Sequence, residues 1–267
     1  MIYFIVISAI IIFFILLYFL YLVRPLARKT DNPRLLCNYA HRGLHGKTVP
    51  ENSLKAFELA CEKGYGIELD VQLASDGTVM VFHDYTLKRM TGCEKKVCQL
   101  TADELTKLSL KESDQTIPTF KQVLDTVNGR VPILVELKGE SLNTSLCEKA
   151  ALLLKDYKGD YCIESFNPFL LRKMKKYLPN AFYGQLYTNV CKDKKKYSPL
   201  NILLTLMIFN FLAKPDFIAY NQEYRNNLQV RLTTKFYKAT PFVWTIKQKE
   251  DMKTAEKRCE CAIFEEQ

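Results

Sequence analysis

Of the three histidines in the chain, two sit where chemistry is possible. His41 closes a short apolar run and is followed at once by Arg42 and Gly43, then by Pro50-Glu51-Asn52-Ser53. His83 ends the run Val79-Met80-Val81-Phe82 and is followed by Asp84. Two further pairs, Glu68 with Asp70 and Glu136 with Lys138, are embedded in apolar segments at 67–71 and 133–137. Segments of this length and composition read as buried strands. Positions i and i+2 of a strand share a face, so each pair points the same way. Three carboxylates on buried faces are prohibitively costly unless something cationic compensates them. A hard divalent ion held by carboxylate oxygens is the simplest compensation. Such an ion beside two proton-transferring imidazoles is suited to cleaving a phosphodiester.

The order of these pieces is more specific than any one of them. His-Arg-Gly, Pro-Glu-Asn-Ser, Glu-x-Asp, Ser75-Asp76-Gly77 leading to Val79–His83, and Val135-Glu136-Leu137-Lys138 together resemble the glycerophosphodiester phosphodiesterase family, over residues 37–264. The resemblance implies that His41 and His83 are the general base and general acid. It implies that Glu68, Asp70 and Glu136 hold one divalent cation, Ca2+ or Mg2+, and that Arg42 and Lys138 contact the phosphate. Trp244, the only tryptophan, is implied as an aromatic wall for the substrate. The implied reaction releases glycerol phosphate and an alcohol, with the glycerol 2-hydroxyl as first nucleophile and a cyclic phosphate that water opens. Neighbouring chemistries are a lysophospholipase D acting on membrane lysolipids and a phosphatidylinositol-type phospholipase C. A catalytically silent membrane scaffold is the reading from another class. Plainer roles fit other residues: Asp76-Gly77 makes a hairpin turn, Asn52 or Ser53 caps a helix, and His45 matches no motif position.

Residues 2–23 carry no charge and are dominated by Ile, Phe, Leu and Val. As a helix this segment is about 33 Å long, enough to span a bilayer. A cleaved leader has a positively charged start and a small-residue cleavage site, and neither is visible here. Arg24, Arg28, Lys29 and Arg34 follow the segment, and no side-chain charge precedes it. The positive-inside bias then predicts a single-pass protein whose catalytic domain faces the cytoplasm. Nine cysteines without a C-x-x-C pair read as reduced thiols, which agrees with that side of the membrane. The net charge of +9 raises the question of nucleic acid. The basic residues are dispersed, however, and no recognition motif accompanies them, so the expected partners are the diester or lysolipid substrate and the lipid bilayer. The oligomeric state is left open.

The elements that must position these residues recur along the chain. Strand-like runs at 37–41, 66–71, 132–137, 161–166, 181–186, 216–220, 242–246 and 261–264 alternate with helical patterns such as 53–63, 141–157 and 248–258. Eight strands alternating with helices predict an α/β fold, a (β/α)8 TIM barrel. The run at 79–82 returns from the Asp76-Gly77 turn as an antiparallel extension, and residues 84–118 form a small insertion after the second strand. The expected division is an anchor at 1–23, a juxtamembrane linker at 24–36 and the barrel at 37–267. The motif residues fall late in their strands, at the rim where barrel sites are built. Two features lie outside the family pattern. The last strand is followed only by Glu265-Glu266-Gln267, so the barrel closes without an eighth helix or the N-terminal segment covers that side. Residues 200–212 form an apolar helical stretch too short to span a bilayer, read as a barrel helix or as a surface for the membrane interface or a partner.

Overall fold

The computed structural model describes residues 1–139 and 143–266. Eight parallel strands close a barrel: β1 (Tyr39–Ala40), β2 (Gly66–Leu73), β4 (Ile133–Leu137), β5 (Tyr161–Ser165), β6 (Phe182–Tyr187), β7 (Phe217–Asn221), β8 (Thr240–Ile246) and β9 (Cys261–Phe264). β3 (Val79–Val81) folds back antiparallel on β2, with Val71 opposite Val81. Closure comes from β1, which pairs with β2 on one side and with β9 on the other, Tyr39 opposite Ile263.

The strands form where the sequence is apolar because both of their faces are buried. Outward-facing Leu69, Val71, Ile133, Val135 and Ile163 pack against helix residues such as Phe57, Phe120 and Leu171. Inward-facing Leu134, Cys162, Phe182, Phe217, Phe242 and Ile263 fill the barrel with Tyr39 and Leu35. Phe217 stacks on Phe242 at 4.3 Å between ring centroids. That filling requires a glycine on the next strand, since a Cβ on Gly184 would meet the Phe217 ring at 2.0 Å.

The helix Leu54–Lys63 is capped by Ser53, whose hydroxyl accepts from the Ala56 N–H, and ends at Gly64 in the left-handed region. The helix expected at 141–157 begins in residues outside those described and is seen as Ser145–Asp156. Residues 84–118 carry a small core of their own, in which Leu87, Met90, Val97, Leu105 and Ile117 gather around Met80 and Phe82. The apolar stretch 200–212 is not one helix. It is split into Pro199–Thr205 and Asn210–Ala213, with Met207 between them at φ +56° and buried. A non-glycine residue in the left-handed region breaks the helical repeat there.

The N-terminal helix Ile2–Val23 is long and apolar enough to cross a membrane. Its last turn is docked: Asn210 donates to the Val23 carbonyl at 2.9 Å and the Tyr237 hydroxyl to the Leu20 carbonyl at 3.0 Å. The large side chains from Tyr3 to Tyr18 are exposed. Residues 24–35 then run beneath the barrel, where Leu35 enters the interior core and its carbonyl accepts from the Tyr39 hydroxyl.

Candidate active site

All eight barrel strands run from a floor to a rim, so residues late in a strand, or just past its end, meet at the rim. His41 follows β1, and its backbone N–H bonds to the Phe264 carbonyl at the end of β9. Glu68 and Asp70 lie in β2 and Glu136 near the end of β4. The register sets Asp70 opposite Glu136, and Glu136 opposite Glu164 of β5, so three carboxylates share one layer of adjacent strands. Ligand oxygens of Glu68, Asp70 and Glu136 all lie within 4.8 Å of one another. An ion with oxygen distances of about 2.0–2.6 Å bridges such a gap. The donors are hard carboxylate oxygens, and Asp70 Oδ1, fully buried, has no hydrogen-bond partner among the described residues, although the Lys138 ammonium stands 3.4 Å from it. The trio therefore fits a hard divalent cation.

The protein's own cations compensate part of this charge. Lys138 Nζ stands 3.0 Å from Glu136 and 3.4 Å from Asp70, and Arg42 Nε 3.5 Å from Asp70. Burial works against the Lys138 ammonium, yet Asp70 and Glu136 hold its pKa above the ordinary lysine range. Burial pushes Glu136 up to about 7, and Asp70 adds to the push. It also raises Glu68, with the charges of Asp70 and Glu136 acting in the same direction. Asp70 goes the other way: burial opposes its ionisation, but Lys138, His83 and Arg42 outweigh it and hold the carboxyl below its usual range.

Each histidine turns Nδ1 toward a carboxylate, His41 to Glu265 at 2.8 Å and His83 to Asp84 at 2.6 Å. Burial lowers both imidazole pKa values, offset in part by Glu265 for His41 and by Asp70 for His83. Glu265 is itself held down to about 2, chiefly by that histidine bond, and so accepts from Nδ1–H. His41 Nε2 is left 4.0 Å from Glu68. Asp84 is shared with Arg89, whose Nε donates to it at 2.6 Å. The same arginine donates twice to Glu51, at 2.7 and 2.9 Å, and Glu51 in turn accepts from Arg42 at 2.7 Å.

Arg42 is aimed by a turn. It and Gly43 adopt φ +56° and +79°, and the Arg42 N–H donates to Glu68 at 2.9 Å. A Cβ on Gly43 would meet Ala56 and Phe57 at 2.9 Å, so the helix Leu54–Lys63 packs close only against glycine. Asn52 does not cap that helix. Its side chain donates to Asp70 at 2.9 Å, leaving the cap to Ser53.

A cleft of about 100 Å³ opens here, lined by His41, Arg42, Glu68, His83, Glu136 and Trp244, together with Glu164 and Phe166. Asp70 and Lys138 adjoin it through the ion pairs above. Trp244 is fixed by its Nε1–H bond to the Ala219 carbonyl at 2.9 Å, and Phe166 stands edge-on to it at 5.7 Å. Sequence reasoning did not single out Glu164, Glu265, Asp84, or the Glu51–Arg89 link. Glu164 is 1% exposed, its pKa is raised by burial, and its Oε2 has no partner among the described residues. The available signal was a lone acid in the apolar run 161–166.

The family described as glycerophosphoryl diester phosphodiesterase is matched over residues 41–264. A glycerophosphodiester phosphodiesterase of Caldanaerobacter subterraneus subsp. tengcongensis is 33% identical over 224 residues, covering 80% of this chain and 86% of that protein. Human glycerophosphodiester phosphodiesterase 1 is 30% identical over 147 residues, 51% of this chain and 44% of that protein. Among solved structures, a glycerophosphodiester phosphodiesterase from Thermotoga maritima superposes with a TM-score of 0.64 at 27% identity, covering 85% of this chain and 94% of that one. A phosphodiesterase from Oleispira antarctica, solved with its product sn-glycerol-3-phosphate, gives 0.71 at 23% identity over 86% and 92% of the two chains. At that identity the second likeness speaks for the barrel alone. The family match takes in most of the chain, and the first relative is 33% identical over 80% of it, so the chain belongs to the glycerophosphoryl diester phosphodiesterase family and is a phosphoric diester hydrolase.

Proposed function

We propose that the chain hydrolyses glycerophosphodiesters to glycerol phosphate and an alcohol, using one divalent cation, Ca2+ or Mg2+, held by Glu68, Asp70 and Glu136. The catalytic domain, residues 37–267, is tethered by residues 1–23 to the inner face of a membrane, with 24–36 joining the two. One observation carries the catalytic reading: three buried carboxylates converge within 4.8 Å at the edge of a cleft that both His41 and His83 line. The basic residues Arg24, Arg28, Lys29 and Arg34 directly after the apolar helix support the orientation.

When bound, the cation supplies charge neutralisation at a phosphate oxygen. Arg42 and Lys138 stand beside the same position and stabilise the charge that builds in the transition state. His41 takes the proton of the glycerol 2-hydroxyl as that oxygen bonds to phosphorus. The bond from phosphorus to the alcohol oxygen breaks, and His83 gives its proton to that oxygen. Water opens the cyclic phosphate by the same transfers in reverse, restoring both histidines. Glu265 fixes His41 in the tautomer that presents Nε2 as base and stabilises the imidazolium it becomes. Asp84 shares its charge with Arg89, which favours His83 as the partner that releases a proton. Trp244 and Phe166 form an apolar wall for the substrate.

The test is product analysis with the full chain in detergent, using a panel of glycerophosphodiesters and lysolipids with and without EDTA. Release of glycerol phosphate that stops with chelator and returns with Ca2+ or Mg2+ is expected. Chelator-insensitive hydrolysis would favour a phospholipase C chemistry, and no hydrolysis of any substrate would leave a silent scaffold.

A further inference from the structure

Residues 24–35 do not hang free between the apolar helix and the barrel. They cross the floor, bonded in turn to residues just ahead of five neighbouring strands. The Leu26 and Ala27 N–H groups donate to Pro215, ahead of β7, at 2.9 and 3.0 Å. Arg28 donates to the Ala181 carbonyl ahead of β6 at 2.5 Å, and Lys29 to Lys238 ahead of β8 at 2.7 Å. Asn32 donates to Asp160 ahead of β5 at 2.6 Å, and Arg34 to the Arg130 carbonyl ahead of β4 at 3.2 Å. The apolar helix thus enters at the floor, while the residues that build the cleft stand at the opposite rim. Because the last helical turn is docked on Asn210 and Tyr237, this relation is built in rather than left to a flexible tether. Near the point of entry the exposed residues are basic and apolar together: Arg24 and Leu26 follow the docked turn, and Lys235, Phe236 and Lys238 flank the Tyr237 that holds it, with Leu26 54% and Phe236 65% exposed.

We infer that this floor is the membrane-facing surface, seated on anionic head groups, and that the cleft opens away from the bilayer. The substrates are therefore water-soluble, deacylated glycerophosphodiesters rather than lysolipids resident in the same bilayer. The inference rests on the tether proposed above. Lysine and arginine beside an anionic surface are attracted to it, and the exposed Leu26 and Phe236 enter the interface where their apolar surface leaves water. Trp244 lies four residues beyond Thr240, the first residue of β8, roughly 13 Å further along the strand. The residues 24–35 and the head-group layer lie between it and the hydrocarbon. A bilayer-resident lysolipid would have to leave the membrane, returning its methylenes to water, before its phosphodiester reached the rim. A soluble diester arrives at the rim directly.

The single tryptophan makes this measurable in the full chain reconstituted into anionic vesicles. With brominated lipids, which quench only at short range, Trp244 emission is expected to stay unchanged while aqueous iodide quenches it. In the double variant Phe236→Trp with Trp244→Phe, brominated lipids are expected to quench the new fluorophore. Quenching of Trp244 by brominated lipid, or its absence at position 236, would overturn the orientation. Failure of the protein to float with vesicles would remove the tether and this inference together. In a parallel assay, a long-chain lysolipid in the vesicle membrane should turn over at least tenfold more slowly than a water-soluble diester with the same head group, and equal rates would refute the substrate class. Absence of hydrolysis on every substrate would strike the catalytic reading, and with it the substrate class, while the quenching result stands.

Discussion

His41 and His83 are matched in geometry and unmatched in support. Each gives Nδ1 to a carboxylate, but Glu265 also pairs with Lys247, while Asp84 belongs to a chain running through Arg89 to Glu51 and Arg42. Replacing either histidine with alanine should lower kcat by about 10²- to 10⁴-fold. The melting temperature should hold, since both side chains sit at the rim and leave no core cavity. Near wild-type turnover in either variant would remove that histidine from the mechanism. Glu51 carries a second test. Burial opposes its ionisation, but Arg89 and Arg42 hold its pKa near 2, below the ordinary 4.5. A carboxyl lowered by folding contributes stability above its unfolded pKa and loses it as pH falls through the folded value. Glu51→Gln should therefore cost about 1–3 kcal/mol at neutral pH, and its gap from wild type should narrow between pH 4.5 and about 2. Thermal melts across that range decide it, and a gap of constant size would show that Glu51 is not held by its arginines.

At the scale of elements, the site depends on register. Asp70, Glu136 and Glu164 meet because β2, β4 and β5 pair with those three residues in one row. Gly184 continues the row on β6, where its missing Cβ admits the Phe217 ring. Gly184→Ala should cost about 1–3 kcal/mol by overpacking, read as a lower denaturant midpoint, and an unchanged midpoint would mean that β6 and β7 part without strain. The eight strands and the hairpin were legible in the sequence to within a residue or two, because a buried strand announces itself by a local apolar run. Glu68 with Asp70, and Glu136 with Lys138, were legible as pairs because i and i+2 spacing is local as well, whereas joining the three acids into one group took the order of the family's motifs. Glu164, Glu265 and the Glu51–Arg89 link were not, since their meaning depends on which distant strand or loop lies alongside, and no local pattern encodes that. The stretch 200–212 was misread as continuous because composition alone does not reveal that Met207 turns into the left-handed region.

For the molecule as a whole, two conditions should set stability: whether the cation trio is filled, and whether the floor is covered. A cation that binds only the folded barrel stabilises it by about 2.7 kcal/mol at a hundred times its Kd. EDTA should therefore lower the melting temperature of the wild type and leave a Glu68→Gln/Asp70→Asn variant unmoved, and equal shifts in both would place the cation elsewhere. The covered floor argues for a sharp boundary in truncation. Removing residues 1–18 takes away a segment whose large apolar side chains from Tyr3 to Tyr18 are exposed, and keeps the docked last turn. Removing residues 1–28 also takes Arg28, whose guanidinium bonds Asp216 at 3.2 Å, along with the backbone bonds to Pro215. Asp216 is 0% exposed, burial already raises its pKa, and its Oδ1 has no partner among the described residues. Losing the arginine leaves that carboxylate with the Tyr183 N–H and the more distant charge of Lys175. An unsatisfied buried polar group costs about 1–3 kcal/mol, and in a domain of this size each kcal/mol lowers the melting temperature by about 2–4 °C. The longer deletion should therefore melt several degrees below the shorter one. Both should turn over a soluble glycerophosphodiester at the same rate in the cold, because no cleft residue lies in either segment. Equal melting temperatures would mean that residues 24–28 add nothing to the fold, and the rigid relation between the apolar helix and the barrel would go with them.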